Sequence, residues 1–377
     1  MSTVSLWLDE PTEPLPRVVL GGNADVAVVG GGITGCACAL ALAEAGQRVR
    51  LFEARAISGG ASGRNGGFAL RGGAAPYPVF VDSIGAEATA SLWRWTEAEL
   101  AALGTLAGSA LRYTGSLRLA ADEGEREELR EEYDGLVEAG FAAEWREDLP
   151  PPLAGRYPAA LFHPPDGVLQ PARLVRGLAR RAADAGVEIN EHTRVASLDE
   201  ARADVVVVAT DGYPSGLLGE LEGLIVPTRG QIVATEPIAE VLFAIPHYGR
   251  HGFDYWHQRE DGRIVAGGFR DVSLDTEFTD EEVTTPVVQG ALERFVEEHV
   301  GRPLRIDYRW AGIFGMVFDF LPVIGPVPGD DRVWMAGGYS GHGNVLGFAS
   351  GRLVARAILG DRDPLLGLFE PSRLLVH

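Results

Sequence analysis

The chain has 377 residues, of which 33 are basic and 53 acidic, so its formal net charge is −20. Its hydrophobic fraction of 46% and charged fraction of 23% are those of a folded protein large enough for two or three domains. The negative charge argues against a nucleic-acid partner, whose phosphates would be repelled. Every basic residue is an arginine, which excludes chemistry that depends on a lysine, such as a Schiff base.

The two cysteines, Cys36 and Cys38, stand two residues apart in an alanine-rich helical stretch. Residues at this spacing point to different sides of a helix, so they predict neither a disulfide nor a metal site. The first 16 residues lack the basic and apolar regions of a signal peptide. The longest uncharged stretches, 26–43 and 333–351, are interrupted by glycines. We therefore expect no membrane span and a cytoplasmic location.

The predicted elements begin with a compact βαβ unit, in which strands at 24–29 and 47–52 flank a helix over 33–45. The rest of the chain contributes predicted helices at 87–108, 125–139, 171–185, 280–300 and 345–358, and strands at 112–120, 187–190, 204–209, 230–235, 253–258, 263–267, 305–310 and 333–336. Residues 150–165 hold six prolines and are predicted as a loop or a domain boundary.

The α/β character of both ends of the chain contrasts with a later region of strands joined by turns, which is typical of an antiparallel sheet. This pattern predicts a discontinuous nucleotide-binding domain with an inserted substrate domain, and a ligand at their junction. The expected nucleotide-binding segments are 1–75, 155–224 and 321–377, and the expected substrate-domain segments are 76–154 and 225–320.

A glycine fingerprint, Gly30-x-Gly32-x-x-Gly35, follows the first predicted strand and opens the first helix. Its glycines allow a tight turn, close approach of the backbone to a pyrophosphate, and close packing of the helix on the strand. Glu53 ends the second strand 23 residues after Gly30, where a carboxylate accepts the hydroxyls of an adenosine ribose. These features predict FAD or NAD, rather than NADP, at the helix N-terminus.

A second cluster of small residues, Gly-Ala-Ser-Gly-Arg-Asn-Gly-Gly at 60–67, lets the backbone lie flat against a planar ring and so favours FAD. With this cluster the chain resembles the D-amino acid oxidase (glycine/sarcosine oxidase) superfamily of FAD-dependent oxidoreductases, and most of all its γ-glutamylputrescine oxidoreductase-type branch. Further matching motifs lie at residues 53–55, 167–171, 193–195, 206–212, 229–231, 262–268, 321–325 and 337–344. The resemblance implies a Rossmann-like FAD-binding domain with an inserted, mainly antiparallel β-sheet substrate domain.

The resemblance also implies a set of cofactor contacts and, because neither cysteine is placed to attach the flavin, non-covalent FAD. The implied contacts are Gly30, Gly32, Ile33, Thr34 and Gly35 for the pyrophosphate; Glu53, Ala54, Arg55, Val195, Ala209, Thr210 and Gly212 for the adenosine side; and Ala61, Ser62, Arg64, Asn65, Gly66, Gly67, Gly338, Tyr339, Gly341, His342, Gly343 and Asn344 for the isoalloxazine side. A helix N-terminus beyond Gly343 would stabilise the negative charge of a reduced flavin.

The reaction that the resemblance implies is hydride removal from a carbon next to an amine nitrogen, giving an imine that water hydrolyses. Oxidases of D-amino acids and glycine bind the substrate carboxylate with an arginine where this chain has Phe314. Because a buried carboxylate needs a cationic partner, we expect an amine or an N-substituted amino acid, unless Arg71 or Arg270 supplies the charge. A structural ion pair, for example with Asp254 or Asp271, is the competing interpretation of each arginine.

The expected catalytic residues are His342, Tyr255 and His257, and the expected substrate contacts are Arg71, Tyr255, Arg270, Phe314 and Tyr339. Tyr255 and His257 share one side of a predicted strand, where they could line the flavin or pack the sheet. His342 belongs to the glycine-rich loop, where a hydrogen bond that fixes the loop is the competing role.

Three alternatives stay open at this point. An NAD-dependent dehydrogenase would share the fingerprint but would not need the two later glycine clusters. A flavin-binding subunit without turnover would keep the clusters, and an amino acid dehydrogenase would pass electrons to an acceptor other than O2. The expected partners are a small amine or amino acid and O2 or another acceptor, and the sequence predicts no oligomeric state.

Overall fold

The computed structural model describes residues 4–375. Its strands are β1 Ala24–Val29, β2 Val49–Phe52, β3 Phe68–Ala69, β4 Leu111–Tyr113, β5 Ser116–Leu119, β6 Glu144–Arg146, β7 Ala160–His163, β8 Gly167–Leu169, β9 Glu188–Asn190, β10 Ala203–Val208, β11 Val226–Thr235, β12 His247–Gly249, β13 Asp254–Gln258, β14 Ile264–Gly268, β15 Ile306–Met316, β16 Val323–Val327 and β17 Asp330–Gly337. Its α-helices are α1 Ile33–Glu44, α2 Tyr77–Ile84, α3 Ala86–Ala107, α4 Glu123–Glu138, α5 Pro171–Asp184, α6 Leu274–Glu277, α7 Pro286–Val300, α8 Gly343–Ile358 and α9 Leu366–Phe369.

The first sheet has the strand order β16-β17-β10-β1-β2-β9 and is parallel except for the β16–β17 pair. β1 lies between β10 and β2, with Val28 opposite both Val207 and Leu51. These strands are rich in valine because helices or loops cover both faces of the sheet. Val28 packs in the same core as α1 and α8, whereas Val29 packs on the opposite side with Val208.

The second sheet has eight strands in the order β15-β11-β14-β13-β12-β5-β7-β6 and is antiparallel except between β12 and β5. Side chains alternate between its two faces. Trp256 lies on the face that packs against α7, together with Leu292 and Phe295. Tyr255 and Trp310 lie on the opposite face, which approaches the first domain.

A third, smaller sheet is antiparallel and has the strand order β3-β8-β4. The N-terminal segment lies outside the three sheets and, through Trp7, contacts both the 60–67 cluster and the eight-stranded sheet. Trp7 is 1% exposed, packs edge-on against Trp310 at 6.4 Å, and donates a hydrogen bond of 2.7 Å to the Asn65 carbonyl. The predicted fold class, α/β with an inserted antiparallel sheet, is confirmed.

Three local differences from the prediction have plain physical causes. The strand expected over 112–120 is two strands, because the chain turns at Gly115, whose φ is +70°. The helix expected from residue 280 begins at Pro286, since proline fits the first helical turn but cannot continue a helix. The proline-rich region contains β7, and no strand was predicted there.

The domain limits remain a proposal, and one pairing bears on them. β7 lies in the segment 155–224 that the sequence assigns to the cofactor domain, yet it pairs with β5 and β6 in the eight-stranded sheet. This pairing favours a boundary after His163 rather than at 154/155.

Candidate active site

The turn between β1 and α1 packs tightly against the residues at the end of β10. Gly30 has a φ of +116°, and a Cβ atom there would come within 2.4 Å of the Ala209 carbonyl oxygen. A side chain would therefore push β1 and β10 apart at the sheet edge where a ligand binds in this type of fold. Ser62 approaches the same turn from the 60–67 cluster and accepts a hydrogen bond of 2.9 Å from the Ile33 amide.

Glu53 stands at the end of β2 with both carboxylate oxygens engaged by the backbone. One oxygen accepts from the Gly31 amide and the other from the Arg55 amide, each at 2.7 Å. The carboxylate is thus fixed beside the glycine turn and lines the cavity there. This is the position in which an acid can bind the hydroxyls of an adenosine ribose.

The two glycine-rich clusters meet through their asparagines. The Asn65 and Asn344 side chains exchange two hydrogen bonds of 3.1 Å, and Asn344 also donates to the Phe68 carbonyl at 2.8 Å. The Asn65 side chain in turn accepts from the Gly67 amide at 2.8 Å. The N-terminus of α8 is therefore fixed against the 60–67 cluster, as a shared flavin site requires.

The loop before α8 is held in an unusual backbone conformation by Asp211. The φ angles of Gly338 and Ser340 are +75° and +48°. Asp211 accepts hydrogen bonds from the Gly338 amide at 2.8 Å and from the Gly315 amide at 3.0 Å, which ties the loop to β15. Burial raises the pKa of the Asp211 carboxyl, while these amide donors oppose that shift.

A cavity lies between these elements. The predicted cofactor and substrate residues that line it are Gly30, Gly32, Ile33, Thr34, Glu53, Ala54, Arg55, Ala61, Ser62, Asn65, Val195, Ala209, Thr210, Phe314, Tyr339, Gly341, Gly343 and Asn344. The predicted cofactor residues that do not line it are Gly35, Arg64, Gly66, Gly67, Gly212, Gly338 and His342. Its glycine turn, fixed acid and paired asparagine loops fit a dinucleotide that continues into a flat ring, and so fit FAD.

Tyr339 lies on the cofactor side of the cavity. Its hydroxyl is 2.8 Å from the Thr34 hydroxyl at the start of α1, and the side chain is 4% exposed. Burial raises the pKa of the Tyr339 phenol. Tyr339 therefore joins α1 to the loop before α8, which supports its predicted cofactor contact more directly than its predicted substrate contact.

The substrate-side residues Tyr255, Phe314 and Arg270 come together next to the 60–67 cluster. The Arg270 guanidinium lies 4.3 Å from the Phe253 ring centroid and 5.9 Å from that of Phe314. The Tyr255 ring would contact a Cβ atom at Gly66 at 2.8 Å, so a side chain there would clash with it.

Arg270 forms no ion pair with a carboxylate in the described part of the chain, although Asp271 lies near enough to favour its charged form. Asp254 and Asp271, the acids nearest in sequence, both pair with Arg250, at 2.5 and 2.7 Å. Among residues 4–375, Arg270 itself has no ion pair and no hydrogen bond. Burial lowers the pKa of Arg270, because the charged form loses solvation. Arg270 does not itself line the cavity, but its guanidinium lies 5.9 Å from the ring of Phe314, which does, and a desolvated cation is a strong site for an anionic group.

Two tyrosine hydroxyls on the same sheet face also lack partners. Tyr255 on β13 lies directly opposite Tyr248 on β12, and neither hydroxyl has a hydrogen-bond partner in the described part of the chain. Burial raises the pKa of Tyr255 to about 12, so its phenol is neutral at pH 7. The sequence analysis missed Tyr248, because a three-residue strand of His-Tyr-Gly carries no recognisable alternation.

Two of the predicted site residues, Arg71 and His257, make contacts that are typical of structural or positioning residues. The Arg71 side chain is 1% exposed and forms an ion pair with Glu97, whose side chain is 31% exposed, which favours a structural role over the expected substrate role. His257 is 2% exposed and stacks on Trp7 with the ring centroids 6.1 Å apart. Its Nε2 donates a hydrogen bond of 2.9 Å to the Gly66 carbonyl. This contact with the 60–67 cluster favours a positioning role for His257 over the expected catalytic one.

His342 is the N-terminal cap residue of α8 and lies next to the cavity-lining Gly341 and Gly343. Its Nδ1 atom is buried without a hydrogen-bond partner. Burial lowers the pKa of His342 to about 4, so the imidazole is neutral at pH 7. A neutral ring with a free nitrogen can accept or donate one hydrogen bond to a substrate or a water molecule.

Neither cysteine offers a reactive thiol for attachment of the flavin. Cys36 and Cys38 are both free and fully buried in α1. Burial raises the pKa of Cys38 to about 12 and raises that of Cys36 as well, so neither forms a reactive thiolate at neutral pH. FAD is bound non-covalently.

Sequence reasoning also missed a group of residues at the cavity entrance. Tyr213 and Asp280 line the cavity, and Glu282 binds two of the predicted cofactor residues, Arg55 and Arg64. Tyr213 follows the motif at 206–212 by one residue and could have been found by extending that motif. Asp280 and Glu282 lie in an acidic stretch before α7 that has no pattern typical of a site.

Within residues 4–375, no helix is long and apolar enough to cross a membrane. The family model described as FAD dependent oxidoreductase (DAO) matches residues 25–357. The chain is 29% identical to the probable oxidoreductase OrdL of Haemophilus influenzae, over 92% of this chain and 85% of that protein. It is also 29% identical to the γ-glutamylputrescine oxidoreductase of Escherichia coli, over 90% of this chain and 85% of that protein.

A solved structure shows the same fold. The crystal structure of glycine oxidase from Geobacillus kaustophilus superposes with a TM-score of 0.77 at 22% identity, covering 94% of this chain and all of that one. The family match, the two relatives and the cofactor-shaped cavity agree with one another. The chain belongs to the DAO family of FAD-dependent oxidoreductases, which act on amines or amino acids.

Proposed function

We propose that this protein oxidises an amine or an N-substituted amino acid, and that Arg270 binds a carboxylate of the substrate. The observation that carries the proposal is the unpaired Arg270 guanidinium beside Tyr255 and Phe314. FAD, when bound, supplies the acceptor for a hydride from the carbon next to the amine nitrogen. The resulting imine is hydrolysed by water, and we propose O2 as the final electron acceptor.

The position of Arg270 sets the kind of substrate. Phe314 occupies the place where an arginine binds the carboxylate of simple α-amino acids in the resembling oxidases, and its ring cannot neutralise an anion. Arg270 approaches Phe314, which lies on β15, from the short turn that follows β14. A carboxylate bound there is displaced from the usual place, which favours a substrate whose carboxylate and reacting carbon are further apart than in glycine.

The side chains around the site also suit a neutral amine. An ammonium ion has no lone pair to assist hydride loss, so the substrate must lose a proton before it reacts. Tyr255 and Phe314 present ring surface that desolvates the amine, and desolvation lowers the pKa of an ammonium group. The neutral Tyr255 hydroxyl can hydrogen-bond to the nitrogen without adding a charge.

Steady-state kinetics with a matched pair of variants test the proposal. Arg270→Met removes the cation and keeps an unbranched apolar stem, whereas Arg305→Met changes an arginine that is 70% exposed at the surface. The substrates are D-amino acids, glycine, sarcosine, longer N-alkyl amino acids and polyamines. We expect Arg270→Met to lower kcat/KM about 10- to 100-fold for substrates with a carboxylate and to leave simple amines unchanged, because a charged hydrogen bond contributes about 1.5–3 kcal/mol.

The outcomes separate the alternatives. Equal losses in both variants, or a loss for amines as large as that for carboxylates, would remove Arg270 from substrate binding. Fast turnover of small D-amino acids would contradict the displaced carboxylate. Formation of H2O2 in air tests the acceptor, since a dehydrogenase that uses another acceptor would turn over only when an artificial one is added.

A further inference from the structure

We propose that Glu282 is a positioning residue that clasps the cofactor site shut, so that FAD leaves only when its contacts to Arg55, Arg64 and Tyr213 break. These four residues are called the Glu282 clasp. Glu282 belongs to the segment between α6 and α7, on the substrate-domain side. Its three partners come from the cofactor-binding parts of the chain, so the clasp joins the two.

The contacts of Glu282 use both of its oxygens. Oε2 lies 2.7 Å from Arg55 Nη1 and accepts a hydrogen bond of 2.9 Å from the Tyr213 hydroxyl. Oε1 lies 2.6 Å from Arg64 Nε. The Glu282 and Arg64 side chains are each 14% exposed, so water screens this pair weakly.

The arginines of the clasp enclose the small-residue loop between them. Arg55 Nη1 and Arg64 Nε both donate to the Gly59 carbonyl, at 3.3 and 3.0 Å. Ala61 and Ser62, within this loop, line the cofactor cavity. The clasp therefore holds the loop against the cavity from outside.

Tyr213 closes the other side of the same opening. The Arg55 guanidinium stacks over its ring at 5.0 Å, and its hydroxyl accepts from the Ile313 amide at 3.3 Å. A Cβ atom at Gly60 would lie 3.0 Å from the ring, so loop and ring are in close contact. Tyr213 and Asp280 both line the cavity, which places the clasp at its wall rather than at a remote surface.

The segment that carries Glu282 is anchored at both ends and, between them, by a hydrogen bond of 3.3 Å from Arg229 to the Glu281 carbonyl. At one end Glu277 is buried and pairs with Arg229 at 2.8 Å. At the other end the Thr285 amide donates a hydrogen bond of 2.8 Å to the side-chain oxygen of Gln231. The side-chain nitrogen of Gln231 donates in turn to the Glu277 carboxylate at 3.0 Å. Residues 278–284 therefore form a short loop whose ends are fixed on β11, and the clasp contacts hold its tip.

The test measures FAD release directly. Holoenzyme is diluted into buffer, and the rise in fluorescence of free FAD gives the dissociation rate, while titration of apoprotein gives Kd. Glu282→Gln keeps the size of the side chain and removes its charge. Glu240→Gln is the matched control, because Glu240 pairs with Arg302 at the exposed surface.

We expect Glu282→Gln to release FAD at least about tenfold faster than wild type, with Glu240→Gln unchanged. Tyr213→Phe keeps both arginine pairs and removes one of the three contacts, so it should give a smaller increase and serves if Glu282→Gln does not fold. Wild-type rates in both Glu282→Gln and Tyr213→Phe would overturn the proposal. An equal increase in Glu240→Gln would overturn it as well, because the effect would then be general. None of these readouts depends on the substrate.

Discussion

Asn65 and Asn344 are 279 positions apart in the sequence, and their side-chain amides exchange two hydrogen bonds of 3.1 Å. One residue lies after β2 and the other opens α8, so this pair fixes the relative position of two loops that line one cavity. The pair therefore helps to hold the two loops in the arrangement that a shared ring-binding site requires.

The asparagine pair gives the first prediction. Asn344→Ala leaves the Asn65 amide and the Phe68 carbonyl without their partner, and each lost hydrogen bond costs about 1 kcal/mol. We expect FAD affinity to fall about 10- to 100-fold, measured by fluorescence titration of the apoprotein. Asn23→Ala, at an exposed position, is the control and should not change Kd. Unchanged affinity in Asn344→Ala would mean that the pair does not shape the site.

The second prediction separates function from stability at Tyr255. Its hydroxyl has no partner in the described chain, so Tyr255→Phe should change the free energy of unfolding by less than about 0.5 kcal/mol. The same substitution should lower the rate of flavin reduction about tenfold, if the hydroxyl orients the amine. Urea unfolding and rapid-mixing absorbance measure the two effects. A large loss of stability with normal reduction would show a packing role instead.

His342 allows a similar separation between catalysis and cofactor binding. Its Nδ1 is buried without a partner, and no side chain in the described structure depends on it for a hydrogen bond. We expect His342→Ala to lower the flavin reduction rate more than FAD affinity. His192→Ala is a control for the loss of an imidazole elsewhere. The reverse pattern, weak FAD binding with normal reduction of the bound fraction, would assign His342 a structural role.

The fourth prediction concerns acid stability. Burial lowers the pKa of His163 and His247 to about 3 and that of His257 and His342 to about 4, well below the ordinary value of 6.5. Below about pH 6.5 the unfolded chain therefore binds more protons than the folded protein. The free energy of unfolding that these histidines contribute is at its maximum above that pH and falls as the pH drops. Each histidine accounts for a loss of about 2 kcal/mol between pH 7 and pH 5.

Asp166 acts in the opposite direction. Burial raises the pKa of the Asp166 carboxyl to about 6, above its value in the unfolded chain. As the pH falls below about 6, the folded protein binds this proton first, which adds about 1 kcal/mol to the free energy of unfolding at pH 5. The histidines outweigh this term. Urea unfolding of the holoenzyme should therefore show a clear net loss of stability from pH 7 to pH 5, and a constant or rising stability over that range would contradict the buried neutral histidines.

The sequence predicted more of the cavity lining on the cofactor side of the site than on the substrate side. Gly30 and Glu53 belong to local motifs, in which a turn, a strand end and a helix start dictate the residue type, and the structure places both at the cavity. Arg71 and Arg270 could not be separated in this way. The choice between substrate ligand and ion pair depends on which arginine finds a carboxylate, and the sequence could not show that Arg250 takes both Asp254 and Asp271.

The parts that were missed depend on contacts between distant segments. The Glu282 clasp needs a loop before α7 to reach Arg55, more than 200 residues earlier, and no local pattern predicts that contact. β7 was hidden in a proline-rich stretch, since its four residues form a strand only by pairing with β5 and β6. Propensity and periodicity describe neighbours along the chain, so tertiary pairing of this kind escapes them.

Anaerobic reduction of the purified holoenzyme is the most direct test of the central claim. Protein that is yellow from bound FAD is mixed, without oxygen, with N-alkyl amino acids, polyamines and simple D-amino acids, and the flavin absorbance is followed in time. We predict rapid bleaching by at least one amine or N-substituted amino acid and slow bleaching by small D-amino acids. Yellow protein that no amine or amino acid bleaches would contradict the account.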